Sequence, residues 1–145
     1  MKINIDQSSD YNEVEITIKC NNIDERLEKL ISSIRLYSSM ISGKKGDKVY
    51  FLKLEDVLYF DTVDEKVFIY TAASIYETSL KLYEIEERFA GTSIVRVNKA
   101  TVLNLMKIDH VSSLLNGRLE AVLQNGEKVI ISRQYVPAFK AKLGY

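Results

Sequence analysis

Cysteine is almost missing from this chain: Cys20 stands alone among 145 residues. No internal disulfide is available, which fits a reducing, intracellular compartment. Its place at the end of an alternating run reads as a small residue buried on a strand. Histidine also occurs once, at His110, and there is neither Cys-x-x-Cys nor His-x-x-x-His. A structural zinc site therefore has too few ligands. No Gly-x-Ser-x-Gly elbow, Rossmann glycine pattern or phosphate-binding loop is present. No apolar run approaches the roughly 18 residues that span a bilayer. The first residues, MKINIDQSSD, lack the apolar stretch of a signal peptide. These absences predict a cytoplasmic globular protein that needs no cofactor and is not an enzyme. His110 reads as a strand residue rather than a catalyst, and Asp61, Asp64 and Glu65 as an acidic, solvated turn.

Asn-Gly steps, by contrast, occur twice, at Asn116-Gly117 and Asn125-Gly126. Each lies between runs of alternating or β-branched apolar residues. Asn-Gly favours a two-residue hairpin loop because a type I′ turn needs positive φ at both central positions. Two such loops predict a three-stranded meander in which Val111 faces Val122 and Val122 faces Val129.

Upstream, Val14, Ile16, Ile18 and Cys20 alternate with Glu15, Thr17 and Lys19, which predicts a half-buried strand. Ile23, Leu27, Leu30, Ile31 and Ile34 then recur at helical spacing behind Asn21-Asn22 as a cap, predicting an amphipathic helix over about 22–41. Its apolar stripe either packs on its own domain or meets a partner. Ser42–Asp47, with two glycines and a charge cluster, reads as a linker. It divides a strand–helix extension, residues 1–43, from a main domain, residues 44–145. The extension is a unit for dimerisation, inhibitor binding or packing. In the main domain, strands are predicted over 48–53, 58–61, 66–71 and 75–78, and a short helix over 80–89. A final helix near 134–142 has Ser132 as its cap. Pro137 conflicts with that start, so the helix begins late or opens with a 3₁₀ turn. The fold class is mainly β with minor α: about nine short antiparallel strands, one long helix and two minor ones.

Acids and bases balance at 20 each, but unevenly along the chain. Residues 89–145 hold eight lysines and arginines against three acids, an excess of five. A neutral domain can thus present a basic face. Arg96, Lys99, Asn104, Lys107 and Arg133 sit at strand ends or beside turns. From there, long donor side chains on a rigid frame can reach base edges and phosphates.

At these residues the sequence resembles the LytTR DNA-binding domain. In that family a segment of the type Phe-x-Arg-x-His-x-Ser-x-x-x-Asn precedes a meander, which ends in Asn-Gly and a Ser-Arg pair leading into a short helix. Here Phe89 comes early, Arg96 matches, and Asn98 stands where histidine is usual. Lys99 takes a position often held by Arg or Asn, Ala100 replaces Ser, Asn104 matches, and Ser132-Arg133 matches. The stretch from Val49-Tyr50-Phe51 to Ile69 resembles the family's first strands, so the likeness covers about residues 44–143.

The resemblance implies an elongated antiparallel fold that sets loops into successive major grooves. It implies a sequence-specific transcriptional regulator of double-stranded DNA, of the stand-alone kind without a phosphoacceptor receiver. Lys99 and Arg133 then reach base edges, while Lys66, Arg96 and Lys107 contact phosphate or sugar. Implied partners are paired direct repeats of DNA, a second copy of the chain, and a small membrane-protein inhibitor. The alternative reading is a protein-interaction module on the same β scaffold without DNA binding.

Overall fold

The computed structural model describes residues 1–145. Asp24, rather than the asparagines before it, opens the first helix, α1 (Glu25–Ser39). Its carboxylate accepts the Leu27 N–H at 2.8 Å, satisfying one of the helix's free amides. Glu25 and Glu28 occupy the first turn, where acids favour the dipole. No residue of α1 is fully buried. Leu27, Ile31 and Ile34 are half-buried and Leu30 is exposed.

The predicted strand over 14–20 does not form. These residues belong to no sheet and are exposed, Cys20 included. Alternation describes a strand's faces, but ladder hydrogen bonds hold it in place, and no edge within this chain supplies them.

The predicted linker is instead part of a hairpin. Strand β1 (Met40–Lys45) follows α1 directly and pairs with β2 (Lys48–Lys53) across Gly46-Asp47. Residue 43, the predicted unit boundary, therefore lies inside a strand. Gly43 is there for close approach: a Cβ at that position would meet Tyr76 Cβ at 2.7 Å. The Arg88 guanidinium donates to the Met40 carbonyl at 2.9 Å and the Tyr37 carbonyl at 3.3 Å. It also lies 4.8 Å from the centre of the Tyr37 ring. This clamps the junction of α1 and β1.

The remaining elements are β3 (Val57–Val63), β4 (Lys66–Thr71), β5 (Ile75–Thr78), α2 (Leu82–Arg88), β6 (Ile94–Arg96), β7 (Thr101–Asn104), β8 (Ile108–Ser113), β9 (Leu119–Leu123), β10 (Lys128–Ile131) and α3 (Val136–Leu143). All pairings are antiparallel. Seven strands form one sheet in the order β2-β1-β5-β4-β3-β7-β6, and three form a second in the order β10-β9-β8. A 3₁₀ turn over Arg133–Tyr135 precedes α3, so Pro137 falls in the helix's permissive first turn. No helix is long and apolar enough to cross a membrane.

Two cores flank the large sheet. Ile41, Phe60, Ile69, Ile85, Phe89 and Val102 build one beneath α2. Leu58, Leu103, Leu119, Leu123, Ile131 and Phe139 build the other against the small sheet and α3. Strand β7, whose neighbours Val102 and Leu103 enter different cores, is buried at every position. That is the pattern of a strand covered on both faces.

The meander forms, but in another register: Val111 faces Ala121, and Ala121 faces Val129. Leu114 bonds Arg118 and Leu123 bonds Glu127 across the two loops, so each loop holds three residues instead of two. Asn116 (φ 63°) and Gly117 (φ 74°) in the first loop and Gly126 (φ 87°) in the second supply the left-handed positions. One extra residue per loop turns β9 over. Leu119, Ala121 and Leu123 then enter the core, which buries more apolar surface than Glu120 and Val122 would.

Asn104, on β7, is fully buried. Its Nδ2 donates to the carbonyls of Val57 at 2.8 Å and Leu54 at 3.3 Å. Its Oδ1 accepts from Ser93 Oγ at 2.7 Å and from the Met106 amide at 3.1 Å. Every polar valence of the amide is used. Asn104→Ala leaves several buried groups without partners, and is expected to cost about 3 kcal/mol of stability in urea unfolding.

Candidate nucleic-acid interface

The loop Val97–Ala100, between β6 and β7, is braced from three sides. Arg96 Nε donates to the Asn98 carbonyl at 3.1 Å, and its terminal nitrogens reach the Lys99 carbonyl and, at 3.0 Å, Glu86 Oε2. Asn98 Oδ1 accepts the Ala100 amide at 2.9 Å, while its Nδ2 crosses to the Ile130 carbonyl at 3.0 Å. The Thr62 amide donates to the Ala100 carbonyl at 2.8 Å, and the Ser132 amide to the Val97 carbonyl at 2.9 Å. Thr101 Oγ1 donates to Asp61 at 3.0 Å. The backbone of this loop is therefore held, while the Lys99 side chain projects outward, exposed.

Arg133 arrives beside it from the end of β10, exposed on its 3₁₀ turn. Asn98, Lys99, Ala100, Ser132, Arg133 and Gln134 line one shallow, open depression. The Arg133 stem passes over Gly117, where an added Cβ would approach Cγ and Cδ at 3.1 Å. That places the β8–β9 loop, with exposed Arg118, at the same end of the molecule. Lys66 shares this end as well. It opens β4 opposite Val63, and β3 passes the Lys99 loop at Thr62 just before that turn.

The ion pairs of the chain are Glu25–Lys29, Lys66–Glu77, Arg96–Glu86 and Asp109–His110. Lys99, Arg118 and Arg133 thus have no carboxylate partner. Lys66 has a loose one, 4.0 Å away and largely exposed. Such a surface pair costs little to open. Three unpaired cations and one weakly paired one lie at a single end of the fold and outnumber the two exposed acids, Asp64 and Glu65, of the adjoining β3–β4 turn, an arrangement suited to a polyanion. No group of three or more His, Cys, Asp and Glu side chains converges anywhere as a metal cage.

Three predicted site residues fall outside this group. Asn104 is not at the surface at all, and its amide is spent on the scaffold. Arg96 faces inward, its guanidinium bonded to the Asn98 and Lys99 carbonyls and to Glu86. Lys107 lies at the opposite end of β7 from Lys99, half-buried, with its carbonyl accepting from the Gln124 amide at 2.9 Å. Four residues of strand put about 13 Å between those ends. Lys142 is tied to the scaffold instead of to this end. Its ammonium donates to the Ile94 carbonyl at 2.8 Å, and burial lowers its pKa. Arg118 was visible only as one charge among eight. What marks it in the structure is the loop that carries it toward Arg133, and nothing in the local sequence encodes that approach.

Residues 47–144 match the family model of the LytTr DNA-binding domain. The sensory transduction protein LytT of Enterococcus faecalis is 31% identical over 107 residues, covering 74% of this chain and 44% of that protein. The transcriptional regulatory protein LytR of Staphylococcus aureus is 29% identical over 98 residues, covering 68% and 40%. The chain spans less than half the length of these curated relatives. An uncharacterised HTH-type transcriptional regulator of S. aureus is 21% identical over 145 residues, covering 99% of this chain and 98% of its own. The LytTr DNA-binding domain of a Bacillus cereus protein has the same fold, with a TM-score of 0.70 at 21% identity, covering 74% of this chain and 98% of that one. With the family model covering residues 47–144 and a relative 31% identical over 74% of its length, this chain belongs to the LytTr DNA-binding domain family.

Proposed function

We propose that this protein binds double-stranded DNA sequence-specifically and regulates transcription. Lys99 and Arg133 reach base edges in the major groove, and Lys66 and Arg118 contact phosphates around them. The observation that carries this reading is the shared depression of Lys99 and Arg133. Both are exposed, free of carboxylates and mounted on backbone that is hydrogen-bonded across two sheets. Base readout needs such a rigid mount, because a donor that wanders cannot discriminate one base edge from another. The names of the relatives, among them a transcriptional regulatory protein, agree with this role. Two copies occupy paired sites on the duplex. The arm formed by residues 1–39 is the part engaged by a second copy or by a small membrane-protein inhibitor.

In-vitro selection from random duplex DNA, followed by footprinting, tests the proposal; a pool that returns no enriched motif overturns it. On the selected site, Arg133→Ala is expected to lose about 1–3 kcal/mol of binding and to relax preference at the bases it reads. Fluorescence anisotropy on matched and mismatched duplexes measures both.

Arg118→Ala is expected to weaken all sequences alike and to lower the salt slope by about one. Lys107→Ala, at the far end of β7, is expected to leave the slope unchanged in the same titration.

Arg96→Lys keeps the charge but loses the bonds to the loop carbonyls. Its effect on affinity is expected to disappear in a Lys99→Ala background, because both changes act through the placement of the one Lys99 ammonium. Full additivity in that double-mutant cycle would show that Arg96 acts on DNA directly.

A further inference from the structure

The N-terminal arm has two apolar surfaces, one that the chain leaves open and one that it covers only in part. Residues 14–20 alternate apolar and polar without exception, yet Val14 and Ile16 are 88% and 59% exposed and join no sheet. The stripe Leu27, Leu30, Ile31 and Ile34 on α1 belongs to neither core. The segment is complementary to itself. Laid antiparallel on a second copy with Thr17 at the centre, Glu15 faces Lys19, Ile16 faces Ile18 and Val14 faces Cys20. Symmetry makes each of these pairs twice, with all the apolar residues on one face. Opposite charges placed directly across a ladder stabilise it, and like charges there destabilise it. Neither Glu15 nor Lys19 has an ion-pair partner within the chain. The neighbouring register, centred on Ile16, would need Glu13 to face Lys19. Glu13 instead lies against the chain's own Gly91, where an added Cβ would meet its Oε2 at 2.5 Å.

We propose that a second copy of this chain completes the arm. Residues 14–20 of the two copies pair as an antiparallel ribbon centred on Thr17, and the two α1 stripes cover its apolar face. A lone two-stranded ribbon is marginal in water, so the helices supply the second layer that makes it stable. The assignment rests on the arm's self-associating role in the proposed function, but its test contains no DNA and stands or falls independently of DNA binding.

Sedimentation equilibrium of the full chain reads the outcome. The wild type is expected to be a dimer. Glu15→Lys and Lys19→Glu each place two like-charged pairs across the ribbon, and each is expected to weaken the dimer by about tenfold or more. The double variant Glu15→Lys/Lys19→Glu is expected to restore it. All these side chains are exposed in the single chain, so folding is unaffected by the swaps. A monomeric wild type, or a double variant no tighter than the singles, overturns the proposal. Oxidative cross-linking gives a second readout. Thr17→Cys in a Cys20→Ser background is expected to form an interchain disulfide, since facing Cα atoms lie about 5 Å apart. The two native Cys20 residues would sit roughly 20 Å apart along the ribbon. Efficient cross-linking through Cys20, with none through position 17, overturns the register.

Discussion

Two hydrogen bonds join the small sheet to the rim of the large one: Asn98 Nδ2 to the Ile130 carbonyl, and the Ser132 amide to the Val97 carbonyl. Everything proposed for the basic end depends on them. Lys99 is mounted on the large sheet and Arg133 on the small one. The shared core of Leu58, Leu103, Leu119, Leu123, Ile131 and Phe139 holds the sheets together, and these two bonds fix the local offset between the Lys99 loop and the Arg133 turn. The bonds are main-chain or amide-to-carbonyl, so they persist across the pH range in which carboxylates and imidazoles titrate. Arg96 adds a third anchor from within the loop and is itself balanced by Glu86. At this end of the fold Lys99 and Arg133 point outward, while Arg96 is bonded to the backbone that carries Lys99.

That division explains which parts of the site were legible in the sequence. Ser132-Arg133 and the exposed Lys99 follow from their positions beside turns, and the structure brings them together. Arg96 and Asn104 have the same donor chemistry and the same strand-end placement, but they point inward. Sequence position does not say whether a donor at a strand end is consumed by a neighbouring carbonyl. That depends on which carbonyls the fold leaves free, such as those of Leu54 and Val57 for Asn104.

The fold divides in a similar way. Hairpins at the two Asn-Gly steps were readable because glycine tolerates positive φ. Their loop length was not, because the sequence of β9 alternates acceptably in either register and only core volume decides between them. Glycines at 43 and 46 gave the signature of a linker. One of them is there for strand-to-strand closeness, a long-range contact that no local window contains. The alternating run at 14–20 was read as a half-buried strand, but alternation marks only faces; pairing is a property of two segments, and within the chain this one has no partner.

The absence of any residue between α1 and β1, together with the Arg88 clamp over Tyr37 and Met40, makes the arm a crank rather than a tether. Torque applied to the helix passes straight into the first strand of the seven-stranded sheet, with no slack to absorb it. Whatever grips the arm therefore sets the angle at which the whole sheet is held.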